Sequence, residues 1–70
     1  MDLTIYACRC LVCRLLYLEV LAARKGNSDS MSYLMSIDAE EWAMMVGMER
    51  KDWSGQIAGV MVEWERNRDG

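Results

Sequence analysis

The chain has no histidine, no proline and no phenylalanine. Without histidine, the side chain that most often serves as a general base near neutral pH is missing. The commonest nitrogen ligand of zinc sites is missing with it. Cysteine is scarce and odd in number: Cys8, Cys10 and Cys13 share one short segment. Three clustered cysteines are no disulfide framework, so reduced thiols and a reducing, cytoplasmic compartment are expected. Structural zinc wants four convergent ligands. On a continuous helix Cys8 and Cys10 would point about 160° apart at 100° per residue. No metal and no cofactor are therefore expected, and the thiols are read as small buried or half-buried hydrophobes. Arg9 and Arg14 favour the thiolate of a neighbouring cysteine, which opens the segment to intermolecular disulfides in vitro.

Other absences narrow the function. There is no P-loop, no nucleophile elbow and no dinucleotide fingerprint. The acid pairs Glu40/Glu41 and Glu63/Glu65 sit where capping or solvated carboxylates are usual, so no catalytic residue is assigned and an enzyme is not expected. Positive charge is thin: eight bases stand against eleven acids, for a net charge of −3. Residues 26–70 carry four bases and nine acids. A nucleic-acid binder normally shows a basic footprint, so nucleic acid ranks below protein as a partner. Asp2 gives the wrong charge for the n-region of a signal peptide. The run 3–23 is apolar, but Arg9, Arg14 and Glu19 would each cost roughly 2.5–3.5 kcal/mol near mid-bilayer, against roughly 0.3–0.6 returned by each of its Leu, Ile and Val residues. No membrane association is expected.

What the chain does have is apolar surface. Hydrophobic residues make up 53% of seventy positions, which speaks against disorder and for one small domain. Such a chain buries only about 60% of its unfolded surface, so its stability margin is thin. Residues 4–25 read as helix 1, closed by Arg24-Lys25 and Gly26, since basic groups meet the negative helix end and glycine permits a left-handed exit. Its wheel carries two apolar stripes. Ala7, Leu11, Leu15, Leu18 and Ala22 form a clean one; Ile5, Val12, Leu16, Val20 and Ala23 form another, broken by Arg9. A helix apolar on most sides is a central core helix or an oligomer interface. Residues 26–36 read as a connector with turn chemistry at 27–30.

The stretch 37–53, IDAEEWAMMVGMERKDW, holds one phrase twice: an apolar residue, an acid, a second acid three positions on and a tryptophan, repeated eleven positions later. Asp38 with Glu41, between Ile37 and Trp42, has the form of an acidic capping box and hydrophobic staple. Glu49 and Asp52 with Met48 and Trp53 repeat it more weakly, because glutamate is a poor cap. Gly47 suits the left-handed residue that closes a helix. Helix 2 is thus expected over about 38–46 and helix 3 over about 50–66, meeting at a sharp turn with their tryptophans inside. Trp53, Ile57, Val60, Met61 and Trp64 fall at the spacing of a buried helical stripe. Gly55, Ala58, Gly59 and Val62 lie on the other side. Glycines inside a helix cost about 1 kcal/mol each, so another backbone, from helix 1 or from a second copy, is expected to approach them.

The leucine-rich 11–18 segment, the capped start at 37–42, the turn Val46-Gly47-Met48 and Asp52-Trp53 together resemble the front part of prophage replication-associated winged-helix proteins. No sequence remains for a β-wing. The resemblance implies an all-α, three-helix, helix-turn-helix-like fold and a phage or prophage source, hence a bacterial host cytoplasm.

Two functions follow. The first is a non-enzymatic protein-interaction module, a phage-type accessory protein that inhibits or redirects a host protein machine, an anti-CRISPR-like inhibitor being one form. Seven methionines favour it, as methionine adapts to irregular surfaces. Met44, projecting opposite Trp42, is expected to face outward beside Glu40, while Met45, Met48 and Met61 fill the core. Met44, Glu40, Gly55, Ala58, Gly59 and Val62 are the expected docking residues. A homodimer through helix 1 or the Gly55/Gly59 face is a further expectation. The alternative is a helix-turn-helix DNA-binding regulator or replication accessory protein, with Arg50, Lys51 and Gln56 as contacts.

Overall fold

The computed structural model describes residues 3–7 and 10–68. They form an all-α domain of five helices: α1 Leu3–Ala7, α2 Leu11–Arg24, α3 Ser28–Leu34, α4 Ile37–Met45 and α5 Arg50–Asn67. Two of these correct the three-helix expectation. The first helix is divided, because Cys10 is extended (φ −159°, ψ 166°) and acts as the N-cap of α2. Cys8 and Arg9, at the division, lie outside the described residues, as do the side chains of Ile5 and Ala7. The connector holds a helix of its own. The Asn27 side chain accepts from the Ser30 backbone N–H at 2.9 Å, so the turn chemistry read there is a helix cap. Met31 and Leu34 of α3 are buried.

Helix α2 is the centre of the domain and packs on each of the other four. Its buried line is Cys13, Leu16, Val20 and Ala23. Around it gather Leu3 and Tyr6 of α1, Met31 and Leu34 of α3, Ala39 and Ala43 of α4, Met48, and Trp53 and Val60 of α5. Small residues on α4 let its backbone come close, while Trp53 supplies volume from α5. Ile57, Met61 and Trp64 pack at the margin of this core, as their spacing required.

The two helix closures read from glycine are present. Gly26 follows α2 at φ +100° and Gly47 follows α4 at φ +96°, values open to glycine without steric cost. At Gly47 a Cβ would meet nothing within 4 Å, so only the backbone angle selects glycine there. At Gly26 a Cβ would stand 2.7 Å from the Asn67 carbonyl oxygen, so the C-terminal end of α5 also demands it. The same ends are joined by the Asn67 amide, which donates to the Arg24 carbonyl at 2.7 Å and satisfies one orphan acceptor of α2. Arg24 Nε pairs with Glu63 Oε2 at 3.1 Å.

The start of α4 corrects the capping assignment. Ser36, not Asp38, is its N-cap: the hydroxyl accepts from the Ala39 backbone N–H at 3.3 Å and donates to the Tyr33 carbonyl at 2.5 Å. Serine is the better cap, and it ties the end of α3 to the start of α4. The staple expected from Ile37 and Trp42 is consequently absent; both are exposed. The second copy holds in part: the helix start and the two apolar residues are as expected, while the capping box does not form. Glu49 is the N-cap of α5 without a side-chain cap bond, and Met48 and Trp53 are both buried.

Candidate protein-interaction surface

One turn of α2 past its cap, the chain presents leucine to both sides. Leu16 is buried, whereas Leu11, Leu15 and Leu18 are 71%, 56% and 54% exposed. These three belong to the cleaner of the two apolar stripes. The interior instead takes the smaller Cys13–Ala23 arc on the opposite side, against which α3, α4 and α5 close. Leucine is thus exposed on three successive turns of the central helix.

Neighbouring elements extend it. Leu15, with Val12 and Leu16, lines a groove of about 230 Å³ whose other walls are Tyr33 of α3 and Trp42 of α4. Trp42 is 43% exposed, which places an aromatic with a polar N–H at the rim of an aliphatic floor. Aromatic anchors and aliphatic pockets are the usual centres of binding energy at protein interfaces. The sequence signal for this surface was present, in that α2 carries more apolar residues than one face can bury. It allowed helix 1 as an oligomer interface but left the outward face open, because apolarity alone does not say which face meets the core.

The residues expected to dock a partner are dispersed. Glu40 and Met44 share a groove of about 290 Å³ with Ile37, Glu41 and Arg50. Met44, expected to face outward, is half-buried against the core, and Met45, expected inside, is 73% exposed. The opposition of residues 42 and 44 on the helix was read correctly, but the interior takes the Ala39/Ala43 side and leaves Trp42 out. Glu40 and Ala58 line another groove, of about 360 Å³, with Leu34, Trp53 and Met61. Gly55, Ala58, Gly59 and Val62 are exposed on α5. A Cβ at Gly55 or Gly59 would meet nothing within 4 Å. The intramolecular approach of helix 1 to these glycines, one of the two sources weighed above, does not occur among the described residues.

The cations named for DNA contact are engaged by carboxylates. Arg50 Nε lies 2.8 Å from Glu40 Oε1, and Lys51 Nζ lies 3.4 Å from Glu49 Oε2. Gln56 is half-buried. Affinity for nucleic acid comes largely from neutralising phosphates, and at this helix start the positive charge is already countered within the chain. Among the described residues no cluster of metal-ligating side chains occurs, and no helix is long and apolar enough to cross a membrane.

No protein-family model, curated protein or solved structure matches the chain. The fold and the surface therefore define the class, a small all-α domain with an apolar, aromatic-rimmed face on its central helix.

Proposed function

We propose that the protein is a non-enzymatic interaction module that occupies a protein partner through the Leu11/Leu15/Leu18 face of α2, with Tyr33 and Trp42 as aromatic flanks. The observation that supports this reading is the exposure of three leucines on one face of a helix whose opposite face is the core. Burying a leucine fully is worth roughly 1.5–3 kcal/mol; these three, more than half exposed, forgo a good part of that, which a partner recovers. The phage-type form of this reading, an accessory protein that inhibits or redirects a host machine, rests on the resemblance stated above and on small size.

The test uses the immobilised protein beside a Leu11→Gln, Leu15→Gln, Leu18→Gln triple variant that keeps its far-UV circular dichroism. A protein retained by the first from bacterial lysate and lost by the second fits the proposal. Retention that ignores the leucines, or a salt-dependent shift of duplex DNA by the pure protein, would replace it.

Self-association is a second reading, favoured by the open space at Gly55 and Gly59. Among the described residues nothing comes within 4 Å of a Cβ at Gly55 or Gly59, so Gly59→Leu should leave the domain folded and disrupt any contact between copies there. Light scattering that shows a monomer at high concentration removes this reading.

A further inference from the structure

The α2 N-terminus brings two sulfurs together. Cys10 Sγ and Cys13 Sγ stand 3.1 Å apart, and the Cys13 backbone N–H donates to Cys10 Sγ at 3.3 Å. Both side chains are thiols; Cys10 is exposed and Cys13 is buried. The preferred residues at an N-cap are serine, threonine, aspartate and asparagine. A sulfur there caps less well than an oxygen but brings a nucleophile to the positive end of a fourteen-residue helix.

We propose that Cys10 and Cys13 form a dithiol–disulfide exchange site whose substrate is a small disulfide, with Cys10 as nucleophile and Cys13 as resolving thiol. The inference stands apart from the leucine-face reading and does not depend on it. Burial fixes the roles, since only Cys10 can meet a reagent from solvent. The Cys13 thiol, the Cys13 backbone N–H and the Val12 backbone N–H, in that order of effect, hold the Cys10 thiol below its ordinary pKa. That favours the attacking thiolate.

In the first step Cys10 Sγ attacks one sulfur of R–S–S–R. A Cys10–S–S–R bond forms, and the leaving thiolate takes up a proton. Cys13 then gives up its proton, and its sulfur attacks Cys10 Sγ, releasing the second R–SH. Two protein thiols are oxidised, one small disulfide is reduced to two thiols, and no further reactant is needed. Closure to a bond of about 2.05 Å asks the two sulfurs to approach by roughly 1 Å.

The test incubates the full chain with oxidised and reduced glutathione at a series of ratios, quenches with acid and alkylating agent, and digests with trypsin. Cleavage after Arg9 and Arg14 isolates Cys10-Leu-Val-Cys13-Arg14 from the peptide that holds Cys8. The expected product is this pentapeptide lacking two hydrogens. At a given ratio the closed form should be at least about tenfold more populated, relative to the open form, than in urea-unfolded chain, because the fold raises the local thiol concentration. In Cys13→Ser, glutathione should instead remain attached to Cys10. A bridge from Cys8 to either cysteine, persistent glutathione on the wild-type pentapeptide, or equal closure in urea would each overturn the proposal.

Discussion

Leu15 and Leu16 are adjacent and chemically identical, but the turn of about 100° between them leaves Leu15 in water and Leu16 in the core, so the same substitution at each separates surface from core. Leu16 is 1% exposed. Truncation of a buried leucine to alanine removes its transfer free energy and leaves a cavity, at a cost of about 2–5 kcal/mol. A chain of this length holds a folding margin of roughly 3–10 kcal/mol, so Leu16→Ala takes a large share of it. In a domain this small each kcal/mol moves Tm by roughly 4–8 °C, which gives a fall of about 8–40 °C. Leu15 already keeps more than half its surface in water. Leu15→Ala should therefore cost under about 1 kcal/mol, a shift of a few degrees. Thermal unfolding followed by far-UV circular dichroism measures both. Equal falls for the two variants would place Leu15 inside the fold and remove the candidate surface. A Leu16→Ala variant that melts with the parent would refute the core assignment.

The glycines should sort by backbone angle and space. Gly47→Ala is expected to lose about 1–2 kcal/mol from its positive φ alone, and Gly26→Ala to lose more, since its Cβ also meets the backbone of Asn67; chemical denaturation of each variant gives the order. Gly55→Ala and Gly59→Ala, in open helical positions, should each gain about 0.4–1 kcal/mol in the isolated chain. Ser36→Ala should lose about 1 kcal/mol as the α4 cap goes, while Asp38→Ala loses only a few tenths from its place near the helix N-terminus; the reverse order would restore Asp38 as the cap. Alkylation of Cys10 should have its pH midpoint below that of an ordinary cysteine, because its hydrogen bonds stabilise the thiolate, and Cys13→Ala should move that midpoint upward.

Much of the architecture was legible because local chemistry and fold agree. Gly26 and Gly47 need positive φ, and a left-handed exit is a property of the residue itself. The Trp53–Val60 stripe is one-sided, with exposed serine, glycine and alanine opposite, so its orientation had one solution. Where the pattern was two-sided, the sequence offered no choice. Helix α2 carries two apolar arcs and α4 has apolar residues on both sides, so periodicity alone left the inward face undecided. The α3 helix is short and polar on its outer side, which leaves periodicity little to report.

The all-α class, the end of α2, the turn after α4 and the burial of Trp53 were thus determined by the sequence, through backbone preferences and a single apolar stripe. Tertiary structure alone decided that the Cys13–Ala23 arc of α2 and the Ala39/Ala43 side of α4 turn inward and that Leu11, Leu15, Leu18 and Trp42 stay in water. The reason is steric. Helices pack closest where side chains are small, and the partners that meet Cys13, Val20, Ala39 and Ala43 are set by the path of the whole chain.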